Sequence, residues 1–212
     1  MTSLAERIHG WHVHDRRCHV LSGHLAEIIP NNFRVLDVGC GDGLLARFIS
    51  LKRPDITLTG IDLAVRDGTH IPIGTFDGEV IPYKDASVDG VMLVDVLHHT
   101  RDLMVLLREA LRVAHKAIII KDHLLDGRLS ELTLRFMDKV GNSRHGVSLP
   151  YNYWAQRRWV EAFDTLSLQI GVWRTKLGLY PWPASWMFDR SLHFVARLDV
   201  PQQHRDVTSP KQ

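Results

Sequence analysis

Val35-Leu36-Asp37-Val38-Gly39-Cys40-Gly41-Asp42-Gly43 is a short apolar run that ends in three alternating glycines. A run of this length and apolarity reads as a strand buried on both faces. Glycines at its end let the backbone turn sharply and approach a ligand closely. Leu44–Leu51 then reads as a helix, whose first N–H groups and positive dipole end would face that turn. Strand, glycine turn and helix in this order form the start of a doubly wound α/β sheet, with a ligand at the carboxyl edge of the strands.

Two acidic positions extend the reading. Asp62 closes a second apolar run, Ile56–Ile61, and lies 21 positions after Gly41. At that distance an acidic side chain accepts hydrogen bonds from ribose hydroxyls. Asp77-Gly78 follows a third run, Ile71–Phe76. A carboxylate there can accept from an exocyclic amine, and a glycine leaves room for a flat base. Together these describe an adenosine site. Cys40 and Leu63 adjoin these positions and join the candidate set. A dinucleotide fingerprint would need glycine at position 44, where leucine stands. Asp37 and Asp42 flank the turn; they would repel a pyrophosphate but suit an ammonium and a sulfonium. S-adenosylmethionine therefore fits better than NAD, and an NAD-dependent oxidoreductase is the weaker alternative.

Further strands are expected over Val88–Val94, Ala117–Ile120, Leu166–Trp173 and Leu192–Leu198. Helices are expected over residues 3–29, Leu103–Val113 with Asp102 as its start residue, 127–140 and Tyr151–Phe163. The expected fold is α/β: a Rossmann-like, doubly wound, mostly parallel seven-stranded sheet with helices on both faces. One domain is expected over residues 1–200. It comprises a helical segment 1–30, a cofactor half 34–123 and a substrate half 124–200, with a flexible tail over 201–212.

Composition removes several function classes. Among 212 residues, 26 basic and 24 acidic side chains leave a net charge of only +2. No Lys/Arg block marks a nucleic-acid surface, so no nucleic-acid partner is expected. Hydrophobic residues make up 45%, enough for a sizeable core. No apolar stretch is long enough to span a bilayer, the start has no apolar signal core, and two cysteines make no disulfide framework. A cytoplasmic protein without stable membrane insertion is expected; oligomeric state is left open.

The motifs also resemble a known family. VLDVGCGDG (35–43) resembles motif I of class I S-adenosylmethionine-dependent methyltransferases, and LTGIDL (58–63) their following acidic motif. FDGEVIPYKDASVDGVMLVDVLHH (76–99) is similar to the segment around strand four in the ubiquinone- and menaquinone-methyltransferase group. LREALRVAHKAIIIKDH (107–123) looks like its helix and fifth strand. The resemblance implies that Gly39, Gly41 and Gly43 contact the methionine part. It also implies Asp37 near the amine, Asp62 on the ribose, Asp77 and Gly78 at the adenine, and Asp95 by the methionine end. It implies methyl transfer to a small-molecule acceptor. A cofactor-binding partner subunit without turnover is the alternative of another class.

On the acceptor side, His98-His99 follow strand four and Asp122-His123 follow strand five. Those strands are neighbours in the family's sheet, so both pairs would open onto one mouth. Histidine can take a proton at neutral pH, which makes His99 and His123 candidate bases. His98, with Asn142, His145, Tyr151 and Asn152 from the polar, aromatic loop at 141–154, are candidate substrate residues. Asp95, His99, Asp122 and His123 could be gathered into a metal site, but no close ligand spacing announces one, so no metal is expected. The aromatic insert Leu177–Phe188 is expected to cover the sheet.

Overall fold

The computed structural model describes residues 4–127, 129–142, 151–189 and 191–201, with side chains from residue 15 onward except those of 138–142. His145 lies outside the described residues, as does the side chain of Asn142. The strands are β1 (Arg34–Val38), β2 (Thr57–Asp62), β3 (Ile73–Thr75), β4 (Val88–Val94), β5 (Ala114–His123), β6 (Gln169–Arg174) and β7 (His193–Asp199). The helices are α1 (Leu4–Ile28), α2 (Leu44–Lys52), α3 (Leu103–Val113), α4 (Ser130–Asn142), α5 (Gln156–Thr165) and α6 (Ala184–Phe188). A single 3-10 turn spans Leu97–His99.

The seven strands form one sheet in the order β3-β2-β1-β4-β5-β7-β6. β1 through β5 pair in parallel, whereas β7 runs antiparallel to both β5 and β6. The sheet is therefore mixed, with one reversed strand near an edge. Strand order reverses direction between β1 and β4, the switch point at which doubly wound sheets bind their ligands.

Two apolar layers cover the sheet. On one face Leu21, Leu25 and Ile28 of α1 and Ala46 and Ile49 of α2 pack on Val35, Met92, Ile119 and Val195. On the other, Leu103, Leu107 and Ala110 of α3 and Trp159 and Phe163 of α5 pack on Leu36, Val91, Ile118 and Phe194. Alternate residues of β1 thus serve opposite layers, as the period of a strand requires. Asp102 starts α3 by accepting the Met104 N–H at 2.9 Å. α1 is also held at its edge: His24 Nε2 lies 2.8 Å from the Leu177 carbonyl, and Arg174 donates to Glu27 at 2.6 Å.

Two expectations are corrected. β5 extends well beyond Ala117–Ile120 because β7 pairs with it through His123. That extension carries Lys121, Asp122 and His123 inside the sheet rather than into a loop. In the aromatic insert, Leu177 and Leu179 are the buried residues, while Trp182 and Trp186 are 85% and 75% exposed. The insert's prolines and five-residue helix turn those two rings away from the layer they were expected to cover.

Candidate functional site

The glycine turn is built as its sequence requires. Gly39, Gly41 and Gly43 have φ of 73°, 62° and 80°, a region unfavourable to residues with a Cβ. Space adds a second demand at two of them. A Cβ on Gly39 would stand 2.5 Å from Val96 Cγ2, and one on Gly43 would stand 2.5 Å from Ile71 Cγ1. Cys40 lies over Gly60, where a Cβ would meet its sulfur, and burial pushes its thiol up to about 12. Asp42 accepts the Leu44 N–H at 3.0 Å and so starts α2.

Asp62 ties this turn to β2. Its Oδ2 accepts the Gly41 N–H at 2.7 Å and its Oδ1 the Leu63 N–H at 2.8 Å. A carboxylate offers about four lone-pair positions, so capacity remains for ribose hydroxyls. Asp77 Oδ1 accepts the N–H groups of Glu79 and Val80 at 2.8 and 2.7 Å, which folds its loop back on itself. Gly78 has φ of 90°, and a Cβ there would touch Leu63 at 3.0 Å. Leu63 and Gly78 thus face one another, with the Leu63 side chain 64% exposed.

Asp37 differs from these neighbours. It is 3% exposed and accepts no hydrogen bond among the described residues. Burial, and then repulsion from Asp62, push its carboxyl up to about 7. Such a carboxylate is stabilised by an incoming cation and opposed to an incoming phosphate.

A second polar group sits at the ends of β4, β5 and β7. Asp95, at φ of 55°, holds Lys121 Nζ on Oδ1 and Arg17 Nη2 on Oδ2, the latter at 2.5 Å. Asp122 Oδ1 meets His98 Nδ1 at 2.6 Å and accepts the His123 backbone N–H at 2.7 Å. His123 Nδ1 lies 3.4 Å from His98 Nδ1, 3.4 Å from Asp122 Oδ1 and 3.8 Å from Asp95 Oδ1. His193 Nδ1 lies 3.4 Å from Lys121 Nζ. His98, Lys121, Asp122, His123 and His193 are all buried.

Burial dominates their electrostatics. It pushes His123 down to about 4, helped by Lys121 and His98, and lowers His193 well below its usual range. Burial also lowers Lys121, although Asp95 opposes the shift. For Asp95 burial acts upward, but Lys121 and Arg17 outweigh it and hold the carboxyl well below the ordinary range.

The structure brings His98, Asp122 and His123 together, with Tyr153 stacked 5.7 Å from His98. His99 adjoins them through His98, the two ring centroids being 4.0 Å apart. Asn152 joins the same edge: its backbone N–H reaches the His98 carbonyl at 3.3 Å and its amide the Thr100 carbonyl at 2.7 Å. Tyr151 lies 6.2 Å from Tyr153, ring to ring. Three members were missed from sequence: Arg17, Lys121 and His193. Lys121 carried a signal, a charge directly after the run Ile118–Ile120, and His193 a weaker one as a polar start to β7. Arg17 carried none, because α1 is polar along most of its length. Val96 links the two groups: it follows Asp95 and packs on Gly39.

Residues 22–157 match the model of the family described as methionine biosynthesis protein MetW. The chain belongs to the MetW family. The match gives the family and leaves the resemblance to the quinone-methyltransferase group without further support. Among curated proteins, the 27-O-demethylrifamycin SV methyltransferase of Amycolatopsis mediterranei is 30% identical over 108 residues. That stretch is 44% of this chain and 39% of the relative, so the chain spans about two-fifths of that protein's length. Among solved structures, a chain of the complex between the Haloferax volcanii Trm112 methyltransferase activator and its methyltransferase superposes with a TM-score of 0.69. It is 17% identical, with 89% of this chain and 92% of the other covered. The geranyl diphosphate C-methyltransferase of Streptomyces coelicolor, solved with Mg2+, geranyl diphosphate and S-adenosyl-L-homocysteine, gives a TM-score of 0.64. Identity is 12%, with 85% and 80% covered. These likenesses establish the class I methyltransferase fold.

Proposed function

We propose that this MetW-family chain binds S-adenosylmethionine along the glycine turn and transfers its methyl group to a small-molecule acceptor. The observation that carries the cofactor is Asp37, a buried carboxylate whose pKa is raised by burial and by Asp62, at the foot of a glycine turn held open by positive φ angles. The methionine ammonium supplies the missing cation. Gly39, Cys40, Gly41 and Gly43 line the methionine part, Asp62 takes the ribose hydroxyls, and Leu63, Asp77 and Gly78 frame the adenine. Bound S-adenosyl-L-homocysteine in the Streptomyces coelicolor neighbour supports this choice by likeness of fold.

The acceptor's place is beside the methionine end, where Asp95, His98, His99, Asp122, His123, Tyr151 and Asn152 gather. Methyl transfer is a displacement at the sulfonium carbon, so the protein's task is alignment and, for a hydroxyl acceptor, removal of its proton. With a pKa near 4, His123 is a weak base. His98, fixed by Asp122, is better placed to orient a proton acceptor or the acceptor itself. The non-catalytic partner reading draws on the burial of this cluster behind Arg17.

The test is a two-part measurement: calorimetry with S-adenosylmethionine and with NAD, then release of S-adenosylhomocysteine against a metabolite library. Binding of S-adenosylmethionine with acceptor-dependent release supports the enzyme. Binding without release under any acceptor favours the partner subunit, and binding of NAD alone refutes both.

A further inference from the structure

Around Asp95 the cluster holds more donors than acceptors. Arg17 and Lys121 both bind Asp95, so two cations share one carboxylate. Asp122 is taken up separately, by His98 and by the His123 N–H. Two buried donors then remain. Arg17 Nε meets no acceptor among the described residues, although Nη2 of the same guanidinium is bound to Asp95. His193, 2% exposed, supplies the second. Lys121, held by Asp95, is an ammonium with donors only, so at 3.4 Å it makes His193 Nδ1 an acceptor. Burial keeps the His193 ring neutral, and a neutral ring that accepts at Nδ1 carries its proton on Nε2. That Nε2–H is buried and has no acceptor among the described residues. A buried donor left unmatched is costly and calls for an acceptor. One surplus positive charge and two such donors suit a monoanion; the second charge of a phosphate dianion would be opposed by Asp95.

The surroundings add an apolar side. Arg17 and Asp95 form the open edge of the group, with side chains 25% and 21% exposed, whereas Lys121 is fully buried. A run of rings leads from His193 to the surface. Tyr180 stands 6.0 Å from His193 and 5.4 Å from Phe188, and Phe188 stacks 6.4 Å from Phe136 of α4. Phe136 is exposed, as is Trp186 two positions before Phe188. Exposed apolar surface continuous with a polar site fits the body of a ligand whose charged end that site holds.

We propose that Arg17, Lys121 and His193 hold the carboxylate of the methyl acceptor, while Tyr180, Phe188 and Phe136 seat its apolar body. The acceptor class is then an amphipathic monocarboxylic acid. Its identity as acceptor rests on the reading of this sheet edge given above; the unmatched donors do not. Arg17 and His193 act here as specificity-determining residues, fixing which molecule is held and how it lies. The competing claimant for the same donors is the carboxylate of the cofactor's own methionine part. The fold gathers the donors from α1, β5 and β7, so no spacing in sequence reveals them.

Octanoate is titrated calorimetrically into the full-length chain, with and without saturating S-adenosyl-L-homocysteine, beside octanamide, octyl phosphate and acetate. Octanoate is expected to bind one-to-one and at least about 10-fold more tightly than octanamide or octyl phosphate, since charge-assisted hydrogen bonds distinguish it. Acetate lacks the apolar body and is expected to bind at least about 10-fold more weakly. Arg17→Gln is expected to lose about 10-fold in octanoate affinity and to keep its affinity for S-adenosyl-L-homocysteine. Arg16→Gln, exposed on the same helix, is the control and is expected to bind octanoate like wild type. In wild-type protein the His193 Nε2–H magnetic resonance signal, assigned through bonds to its own backbone, is expected to shift with octanoate and not with octanamide. That readout needs no substitution. The proposal is overturned if octanoate does not bind, if octanamide or octyl phosphate binds as tightly, or if the His193 signal stays in place. It is also overturned if Arg17→Gln loses S-adenosyl-L-homocysteine and keeps octanoate, which would give these donors to the cofactor. Octanoate discrimination without any binding of S-adenosyl-L-homocysteine supports the anion site and refutes the methyl-transfer reading alone.

Discussion

The glycine turn and the cluster at the ends of β4 and β5 share one sheet edge but are made in opposite ways. The turn is local. Its donors are backbone N–H groups, its conformation follows from three glycines, and Asp62 reaches it from the neighbouring strand at 2.7 Å. The cluster is non-local. It joins α1, the residue after β4, the Leu97–His99 turn, β5 and β7, and its charges meet through side chains. The turn leaves a carboxylate, Asp37, unmatched; the cluster matches its charges almost completely. A site that awaits a cationic ligand and a site that is already internally paired will fail differently when altered.

The largest expected effect is at the turn. Gly39→Ala places a Cβ against Val96 in a backbone region costly for alanine, and is expected to lose about 2–4 kcal/mol of stability. Urea unfolding measures it. A loss below about 0.5 kcal/mol would mean the turn adapts freely. Next is the cluster. Asp95→Ala leaves Lys121 and Arg17 without their carboxylate and is expected to cost about 2–3 kcal/mol. Adding Lys121→Met should recover much of that loss. If the double variant is as unstable as the sum of its parts, the cluster is not an internally paired unit.

A smaller effect separates the two functions of the turn. Asp62→Ala removes the acceptor of the Gly41 N–H as well as the ribose contact, and is expected to weaken S-adenosylmethionine by about 1–2 kcal/mol. Unchanged affinity in the folded variant would place the ribose elsewhere. The smallest is a pH effect on the ligand-free protein. Burial and the neighbouring Asp62 push the folded Asp37 carboxyl up to about 7, above the ordinary carboxylate value of about 4. Its contribution to stability is therefore full below about pH 4 and is lost as pH rises through about 7. Asp37→Asn should remove that loss and raise stability at pH 8 by about 1–2 kcal/mol. Thermal melts across pH 5–8 test this; an Asn variant less stable than wild type at pH 8 would mean Asp37 is already satisfied.

The same contrast explains what could be read in the sequence. Gly39, Gly41, Gly43, Asp62 and Gly78 are legible because each answers a backbone demand at a fixed spacing from a strand end. β4 and α3 are legible because Val88–Val94 is continuously apolar and Asp102 is a helix-start residue. His98, Asp122 and His123 were found as strand-end polar residues, yet nothing local shows that His98 pairs with Asp122. Arg17 was invisible because its partner Asp95 is 78 positions away. Pairing of β7 with β5 decides that Lys121 and His193 are buried neighbours, and such pairing depends on the whole sheet.

Calorimetric titration of S-adenosylmethionine at pH 6 and pH 8, on wild type and Asp37→Asn, tests the central claim most directly. The account predicts saturable one-site binding by wild type, tighter at pH 8 because Asp37 must be ionised to meet the ammonium. It predicts that Asp37→Asn binds far more weakly and without that pH dependence. Equal affinity of the two proteins at both pH values, or binding of NAD with none of S-adenosylmethionine, would contradict it.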